Sequence, residues 1–273
     1  MHISVEPRDE YAILHLRGEF DTYYVPLLQE EIDTLLKAGV SRIILNLRLV
    51  KFINSTALGS MIKASKLLTA KNGKLAVSRP SAFCRDIIEK VGLDRVIQVF
   101  DSDEAAAEYL MQGTAPKGKI HGEHQEDHPS TVLFSPKDVS RIEHFLPEGR
   151  RTAHIPMADE KTPAAWSGAG RMASLDPQGL KFTWNGGATG LTPFAMSQFL
   201  AIGTEWKVKF RLPLLKRGYC EATCTIHEVE ERADGVKVGA GFKAIDKATG
   251  EAIRQYATDM AFLKDELRRA TDA

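Results

Sequence analysis

The sequence predicts two folded domains: an α/β domain with a sheet and helices, followed by a small antiparallel β-barrel with a C-terminal helix. The length of 273 residues and the hydrophobic content of 43% favour two cores rather than one. Up to about residue 112, apolar runs with strand spacing and with helix spacing alternate, which is typical of a mostly parallel sheet. From about residue 148, short strand-like segments follow between Gly, Pro and charged turns, as in small barrels.

The first domain, residues 1–112, is predicted to begin with a hairpin and then to alternate helix with strand. Apolar residues recur at helical spacing from residue 23 to residue 37, and Gly39 stands at the C′ position of that helix. The run at 43–47 is apolar and rich in β-branched residues, which favours a strand covered on both faces. The predicted elements are a hairpin over 2–6 and 11–17, helices over 23–37, 56–70, 81–91 and 103–111, and strands at 43–47, 75–77 and 97–100.

A turn that carries two hydroxyl groups opens the second of these helices. Ser55 and Thr56 stand at the predicted N-terminus, where unpaired backbone N–H groups and the positive end of the helix dipole suit either a cap or a phosphate. Position alone favours the cap.

Residues 113–130 are predicted to be a flexible linker, because Pro, Gly, His, Lys and Glu dominate them and apolar periodicity is lost. The second domain, residues 131–273, is predicted to begin with a short helix in which Ser135 is the cap and Pro136 the first helical residue. A final helix from about 250 to 270 has one apolar side, which plugs the barrel or pairs with a second copy of the chain. The predicted strands are at 171–175, 180–184, 206–212, 219–229 and 236–244.

Composition narrows the classes of partner and compartment. The 36 basic and 36 acidic residues balance, which argues against a broadly basic nucleic-acid surface. No run approaches the ~20 apolar residues that span a bilayer, and the N-terminus lacks the features of a signal peptide, so a cytoplasmic protein without a membrane segment is expected.

Neither a metal site nor an enzyme is predicted. Cys220 and Cys224 would lie ~13 Å apart on one strand, too far for a disulfide, so reduced core thiols are expected. His227 would point to the opposite face from Cys224, which argues against a shared metal. The glycine patterns that start at Gly168 and Gly239 lack a strand–glycine–helix context, and no nucleophile motif is present.

Two motifs in the first domain resemble those of a known family. The run at 54–59 reads Asn-Ser-Thr-Ala-Leu-Gly, and the run at 18–21 reads Gly-Glu-Phe-Asp. Together they resemble the STAS domain of the bacterial anti-sigma-factor antagonists, in which an Asp-Ser-Ser/Thr-Gly-Leu-Gly turn is phosphorylated on its first hydroxyl residue by a partner kinase. The resemblance implies phosphorylation of Ser55, with Thr56 as the alternative. It implies a partner-binding set of Asp21, Asn54, Ser55, Thr56 and Leu58.

This chain departs from that motif at two positions. Asn54 stands where the family usually carries Asp, and Ala57 stands where it carries Gly. The negative field beside Ser55 is therefore weaker than in the family, which bears on recognition by a kinase.

The second domain resembles the PilZ family in its late strand and the helix that follows, at 239–246. Cyclic di-GMP receptors of that family carry Arg-x-x-x-Arg and then Asp-x-Ser-x-x-Gly. Here Arg150 and Arg151 are adjacent, and His154 or Ile155 occupies the place of the second Arg. In the later turn only Gly179 matches, and Asp176 replaces the Ser where an anion would approach. The resemblance therefore implies a divergent interaction domain.

The function predicted from these resemblances is a non-catalytic signalling regulator that needs no cofactor. Its STAS-like domain would bind a serine/threonine-kinase-type anti-sigma factor or a related regulator, and phosphorylation of Ser55 would release that partner. The PilZ-like domain would add a second interaction. The alternative is a cyclic di-GMP receptor that relays nucleotide binding through the STAS domain, and an unrecognised enzyme is the third hypothesis.

Overall fold

The computed structural model describes residues 2–112, 130–142, 144–146, 166–216 and 218–271. The chain divides into two compact units. The first contains Met1–His124, Pro213–Lys216 and Thr258–Ala273, and the second contains Gln125–Leu212 and Arg217–Ala257. Of the linker predicted at 113–130, only Ser130 is among the described residues, so this prediction lies outside them.

A five-stranded sheet is the centre of the first unit. Its strands, in the order in which they pair, are β1 (His2–Pro7), β2 (Ala12–Phe20), β3 (Arg42–Ile53), β4 (Lys74–Ser78) and β5 (Gln98–Phe100). The first pair is antiparallel and the other three pairs are parallel. The sequence-based prediction of a mostly parallel α/β sheet is confirmed.

Three helices connect these strands, α1 (Val25–Lys37), α2 (Ser55–Thr69) and α3 (Ala82–Val91), and a fourth helix, α4 (Asp103–Gln112), follows β5. Residues 43–47 of β3 are buried, which confirms the prediction of a strand covered on both faces. On one face, α4 packs through Ala106 and Leu110 against Ile13 and Ile44 of the sheet. Gly39, with a φ of +85°, follows α1 in the left-handed conformation that a C′ residue adopts.

In this unit, β3 differs most in length from its predicted element. The strand has 12 residues and ends at Ile53, whereas the apolar run predicted only 43–47. Its second half pairs with β2 as far as Phe20 and Ile53, so tertiary pairing extends the strand beyond its apolar segment. The extension carries the chain directly to Asn54 and α2.

The second unit contains a closed barrel of six strands, in the order β10-β11-β8-β7-β6-β9, with all neighbouring pairs antiparallel. The strands are β6 (Thr131–Pro136), β7 (Gly168–Asp176), β8 (Gly179–Trp184), β9 (Glu205–Phe210), β10 (Cys220–Arg232) and β11 (Gly235–Ile245). The helices are α5 (Pro193–Phe199) and α6 (Lys247–Thr271), and the residues of α6 from Thr258 onward belong to the first unit. The predicted barrel and C-terminal helix are confirmed.

The helix predicted to start at Ser135 is wrong. Ser135 and Pro136 are the last residues of β6, where they pair with Lys207 and Trp206 of β9. A Ser-Pro pair is a local signal for a helix start, but closure of the barrel requires a strand here. The missing N–H of Pro136 is tolerated because it falls at the end of the strand.

Aromatic rings fill one part of the barrel core. The ring centroid of Phe134 on β6 lies 5.1 to 5.9 Å from those of Trp166, Phe182, Trp184 and Trp206. These side chains are buried, and three of the four contacts are edge-to-face, the arrangement that aromatic quadrupoles favour. The aromatic core therefore packs β6 against β8 and β9.

Candidate functional site

The N-terminus of α2 is capped by an amide and not by a hydroxyl. Asn54 has an extended backbone (φ −103°, ψ 175°), and its Oδ1 accepts a hydrogen bond from the N–H of Ala57 at 2.9 Å. This is the geometry of an N-cap residue. The cap that the sequence favoured at Ser55 or Thr56 thus lies one residue earlier.

Ser55 and Thr56 form the first turn of α2 and differ in exposure. Ser55 is 8% exposed, whereas Thr56 is exposed. Because Asn54 is the N-cap, neither hydroxyl is needed to cap the start of the helix. Both therefore stand at the positive end of the helix dipole without a capping role.

The two motifs that the sequence singled out lie side by side. The N–H of Asn54 donates to the carbonyl of Phe20 at 3.2 Å, and Nδ2 of Asn54 donates to Oγ1 of Thr22 at 3.1 Å. Parallel pairing of β2 with β3 brings the ends of these strands to one edge of the sheet, which places Asp21 next to the turn that carries Ser55.

Acidic groups at the end of β2 share one lysine within the first unit. Nζ of Lys216 lies 2.9 Å from Oδ2 of Asp21 and 2.6 Å from Oε2 of Glu19. The hydrogen bond from Lys216, aided by the N–H of Tyr23, holds the pKa of the Asp21 carboxyl below its usual value. In turn, the hydrogen bonds to Glu19 and Asp21 raise the pKa of Lys216. Sequence reasoning missed Lys216, since 195 positions separate it from Asp21 and no local pattern joins them.

Apolar groups flank the same edge. Tyr23 is 88% exposed, and Phe262, also in the first unit, is 45% exposed. Cε1 of Phe262 lies 3.1 Å from the position that a Cβ on Gly59 would take, so the ring rests on the backbone of α2 one turn after Ser55. Exposed aromatic side chains beside polar groups are typical of protein-binding surfaces.

Leu58 differs from the other predicted partner-binding residues. Its side chain is 0% exposed and packs in the core. A leucine three residues into an amphipathic helix is expected on the buried face, so the prediction that Leu58 contacts a partner is corrected.

In the second unit, the described part of the proposed nucleotide signature has a structural role. Oδ1 of Asp176 accepts hydrogen bonds from the N–H groups of Gln178 at 2.8 Å and Gly179 at 3.1 Å, which closes the turn between β7 and β8. A Cβ on Gly179 would lie 2.2 Å from the carbonyl oxygen of Ala240, so close packing of strands requires glycine here. The other predicted nucleotide-binding residues, Arg150, Arg151 and His154, lie outside the described residues.

The cysteines are free and buried, as expected. Burial raises the pKa of the Cys84 thiol to about 11 and that of Cys224 to about 12. Cys220 and Cys224 face the barrel core, whereas His227 is exposed. Across the part of the chain that the structure describes, there is no group of three or more His, Cys, Asp or Glu side chains suited to a metal ion. None of the described helices has the length and hydropathy to cross a membrane.

The strands of the first unit lie within a match to a known protein family. Residues 2–106 match the family model of the STAS domain. These residues form a STAS domain. The anti-sigma-B factor antagonist of Staphylococcus aureus is 27% identical over 104 residues, which are 38% of this chain and 96% of that protein. The anti-sigma F factor antagonist of Paenibacillus polymyxa is 23% identical over 104 residues, or 38% of this chain and 89% of that protein.

Two solved structures align with parts of this chain. The Bacillus cell fate determinant SpoIIAA in its phosphorylated form is 25% identical, with a TM-score of 0.34 over 39% of this chain and 97% of that chain. The PilZ domain of YcgR from Escherichia coli, with c-di-GMP, is 10% identical, with a TM-score of 0.29 over 54% of this chain and 90% of that chain. The curated relatives cover only the STAS domain, so they do not bear on the barrel.

Proposed function

We propose that this protein is a non-catalytic signalling regulator whose STAS domain binds a protein partner and releases it when Ser55 is phosphorylated. The partner is a serine/threonine-kinase-type anti-sigma factor or a related regulator. The family match and the names of the curated relatives support the regulatory class. The phosphorylation switch rests on the geometry at Asn54.

The observation that carries the proposal is the amide cap. Since Oδ1 of Asn54 satisfies the N–H of Ala57, the Ser55 hydroxyl is not consumed in stabilising α2. A phosphate added there brings roughly −1.5 to −2 charge to the positive end of a helix dipole, which tolerates it. The fold survives, while a partner docked on this edge meets a new anion.

The exposed aromatic groups give the partner an apolar contact. Tyr23 is 88% exposed and follows Asp21 closely in the chain, so a bound partner would cover it together with the Ser55 turn. Aromatic residues of this kind contribute much of the binding energy in protein interfaces. We expect Tyr23→Ala to weaken partner binding without lowering stability. Phe194→Ala, which removes an aromatic side chain that is 65% exposed in the second unit, is the matched control.

We propose that the barrel supplies a second interaction and does not bind cyclic di-GMP. Asp176 places a carboxylate in the turn where the family presents a hydroxyl, and its oxygen is already used by the N–H groups of Gln178 and Gly179. A carboxylate facing a phosphate is unfavourable. Titration of the full chain with cyclic di-GMP should give no saturable heat at micromolar concentration, and a clear isotherm would favour the receptor alternative.

The test of the modification itself is phosphopeptide mapping. The full chain is incubated with ATP and an extract of the native host, and its intact mass is measured for the natural sequence, Ser55→Ala and Thr56→Ala. We expect one added phosphate on the natural sequence and on Thr56→Ala, and none on Ser55→Ala. A phosphate that persists in Ser55→Ala and disappears in Thr56→Ala would reassign the acceptor to the more exposed hydroxyl.

A further inference from the structure

A cavity of about 400 Å³ opens in the first unit on a face of the sheet that the proposed partner surface does not use. Strands β1 to β3, the residue after β4 and the start of α4 line it. None of its lining residues belongs to the predicted partner-binding set. Its size is within the roughly 300–1,000 Å³ of pockets that hold small molecules.

The position of the cavity follows from the way α4 covers the sheet. Ile13, Ile44 and Ala76 pack under α4, and two residues further along their strands come His15, Asn46 and Ser78. Alternation along a strand puts such residues on the same face. α4 begins at Asp103, so it does not cover the part of this sheet face that lies beyond its first residue.

An irregularity in strand pairing turns additional side chains toward the opening. His15 pairs with Asn46, but Arg17 pairs with Leu49, so β3 contributes one more residue than β2 between these pairs. Arg48 and Leu49 are consecutive and both exposed, which regular alternation on a covered strand would not give. Bulges of this kind redirect side chains and are frequent beside functional sites.

The charge of the cavity is strongly unbalanced. Three guanidinium groups, from Arg17, Arg48 and Arg79, line it together with one carboxylate, from Asp103. That carboxylate is already held by Nδ2 of Asn46 at 2.8 and 3.0 Å, and its distance to Nη1 of Arg79 is 3.8 Å. Two positive charges therefore remain uncompensated at this opening.

Two of the three arginines, Arg17 and Arg48, are not paired with the carboxylate of Asp103. Among the residues that the structure describes, Arg17 and Arg48 form no salt bridge. His15 also lines the cavity, but its Nε2 lies 2.8 Å from Oε2 of Glu6 and is engaged there. The two unpaired guanidinium groups are thus the groups best placed to receive an anion.

Arg79 adds an independent sign of a specialised position. Its φ is +48°, a left-handed conformation that non-glycine residues seldom adopt, and its N–H donates to the carbonyl of Phe100 at 2.8 Å. Residues held in such conformations cluster at ligand-binding positions.

We propose that this cavity binds the phosphate group of a small phosphate monoester. Guanidinium groups present planar pairs of N–H donors that match phosphate oxygens, and three of them converge here. The volume exceeds what inorganic phosphate alone fills, and the exposed side chain of Leu49 gives the organic part an apolar contact. The binding event is separate from phosphorylation of Ser55 and does not depend on the proposed function.

Isothermal titration of the full chain tests this site, with ribose 5-phosphate and inorganic phosphate as probes at constant ionic strength. Saturable binding of ribose 5-phosphate is expected, at least tenfold weaker in Arg17→Gln and in Arg48→Gln. Arg95→Gln, at an exposed arginine of the same unit outside the cavity, is the matched control and should bind as the natural sequence does. Tighter binding of ribose 5-phosphate than of inorganic phosphate supports a monoester site, and equal binding of the two probes overturns it in favour of a site for the free anion.

Arg79→Gly separates binding from folding. Glycine adopts a φ of +48° without strain, so the thermal midpoint should not fall while binding weakens. The proposal is overturned if neither probe gives saturable heat at millimolar concentration, or if the arginine variants and Arg95→Gln bind equally.

Discussion

Oδ1 of Asn54 accepts a hydrogen bond from the N–H of Ala57 at 2.9 Å, so an amide caps the helix that carries Ser55. The same side chain donates through Nδ2 to Oγ1 of Thr22 at 3.1 Å. Asn54 therefore caps the N-terminus of α2 and also joins the two motifs at the edge of the sheet. This leaves the hydroxyls of Ser55 and Thr56 outside the capping interaction.

Removal of this cap should be measurable. Asn54→Ala loses the bond to the N–H of Ala57, and the free energy of unfolding should fall by about 1 kcal/mol. Asn54→Asp keeps an oxygen at the capping position and should lose less. Urea denaturation of both variants, at equal m-value, gives the comparison. Equal stability of Asn54→Ala and the natural sequence would show that a neighbouring hydroxyl takes over the cap.

The close approach between β8 and β11 makes a second prediction. A Cβ on Gly179 would lie 2.2 Å from the carbonyl oxygen of Ala240, so Gly179→Ala must push two strands apart. Overpacking of this kind costs roughly 1–3 kcal/mol. Thermal unfolding should report the loss, and Gly218→Ala, where nothing lies within 4 Å of the added Cβ, should be near neutral. A Gly179→Ala variant as stable as Gly218→Ala would contradict close packing of β8 on β11 at this position.

A pH dependence follows from Glu205. Hydrogen bonds from Lys137 and Lys243 lower the pKa of its carboxyl from 4.5 to about 2. The folded pKa is below the unfolded value, so the stabilisation is fully present above about pH 4.5 and disappears as the pH falls through about 2. The difference in unfolding midpoint between the natural sequence and Glu205→Gln should therefore shrink from pH 6 to pH 2. A constant difference across this range would show that Glu205 does not titrate with these lysines.

Thiol reactivity tests the burial of the cysteines. The pKa of Cys84 is raised to about 11 and that of Cys224 to about 12, so little thiolate forms at pH 8. A chromogenic disulfide reagent should react slowly with the native protein and should report three thiols after denaturation, as the sequence contains. Rapid reaction of the folded protein with any thiol would contradict the described core.

The sequence predicted the fold where the local pattern and the tertiary environment agree. The strand at 43–47 and the helix start after it are predictable because the apolar spacing changes there from the strand period to the helix period. The signal failed at Ser135, where barrel closure imposes a strand on a local helix start. Leu58 was assigned to a partner surface through a family motif, but its helical position buries it.

Contacts between residues far apart in the chain cannot be predicted from local sequence patterns. Lys216 reaches Asp21 across 195 positions, and the arginines of the cavity come from strands and a turn that only the sheet register brings together. Periodicity describes neighbours along the chain, so it carries no information on such pairings.

The measurement that tests the proposed switch most directly is partner affinity of Ser55→Ala and Ser55→Glu, with thermal unfolding of both variants as the control. Nearly equal melting temperatures are expected, because the helix dipole tolerates a charge at the first turn of α2. We expect Ser55→Ala to bind the kinase-type partner as tightly as the unmodified protein, and Ser55→Glu to bind at least tenfold more weakly. Equal affinity of the two variants for a partner that binds the natural sequence would contradict the switch.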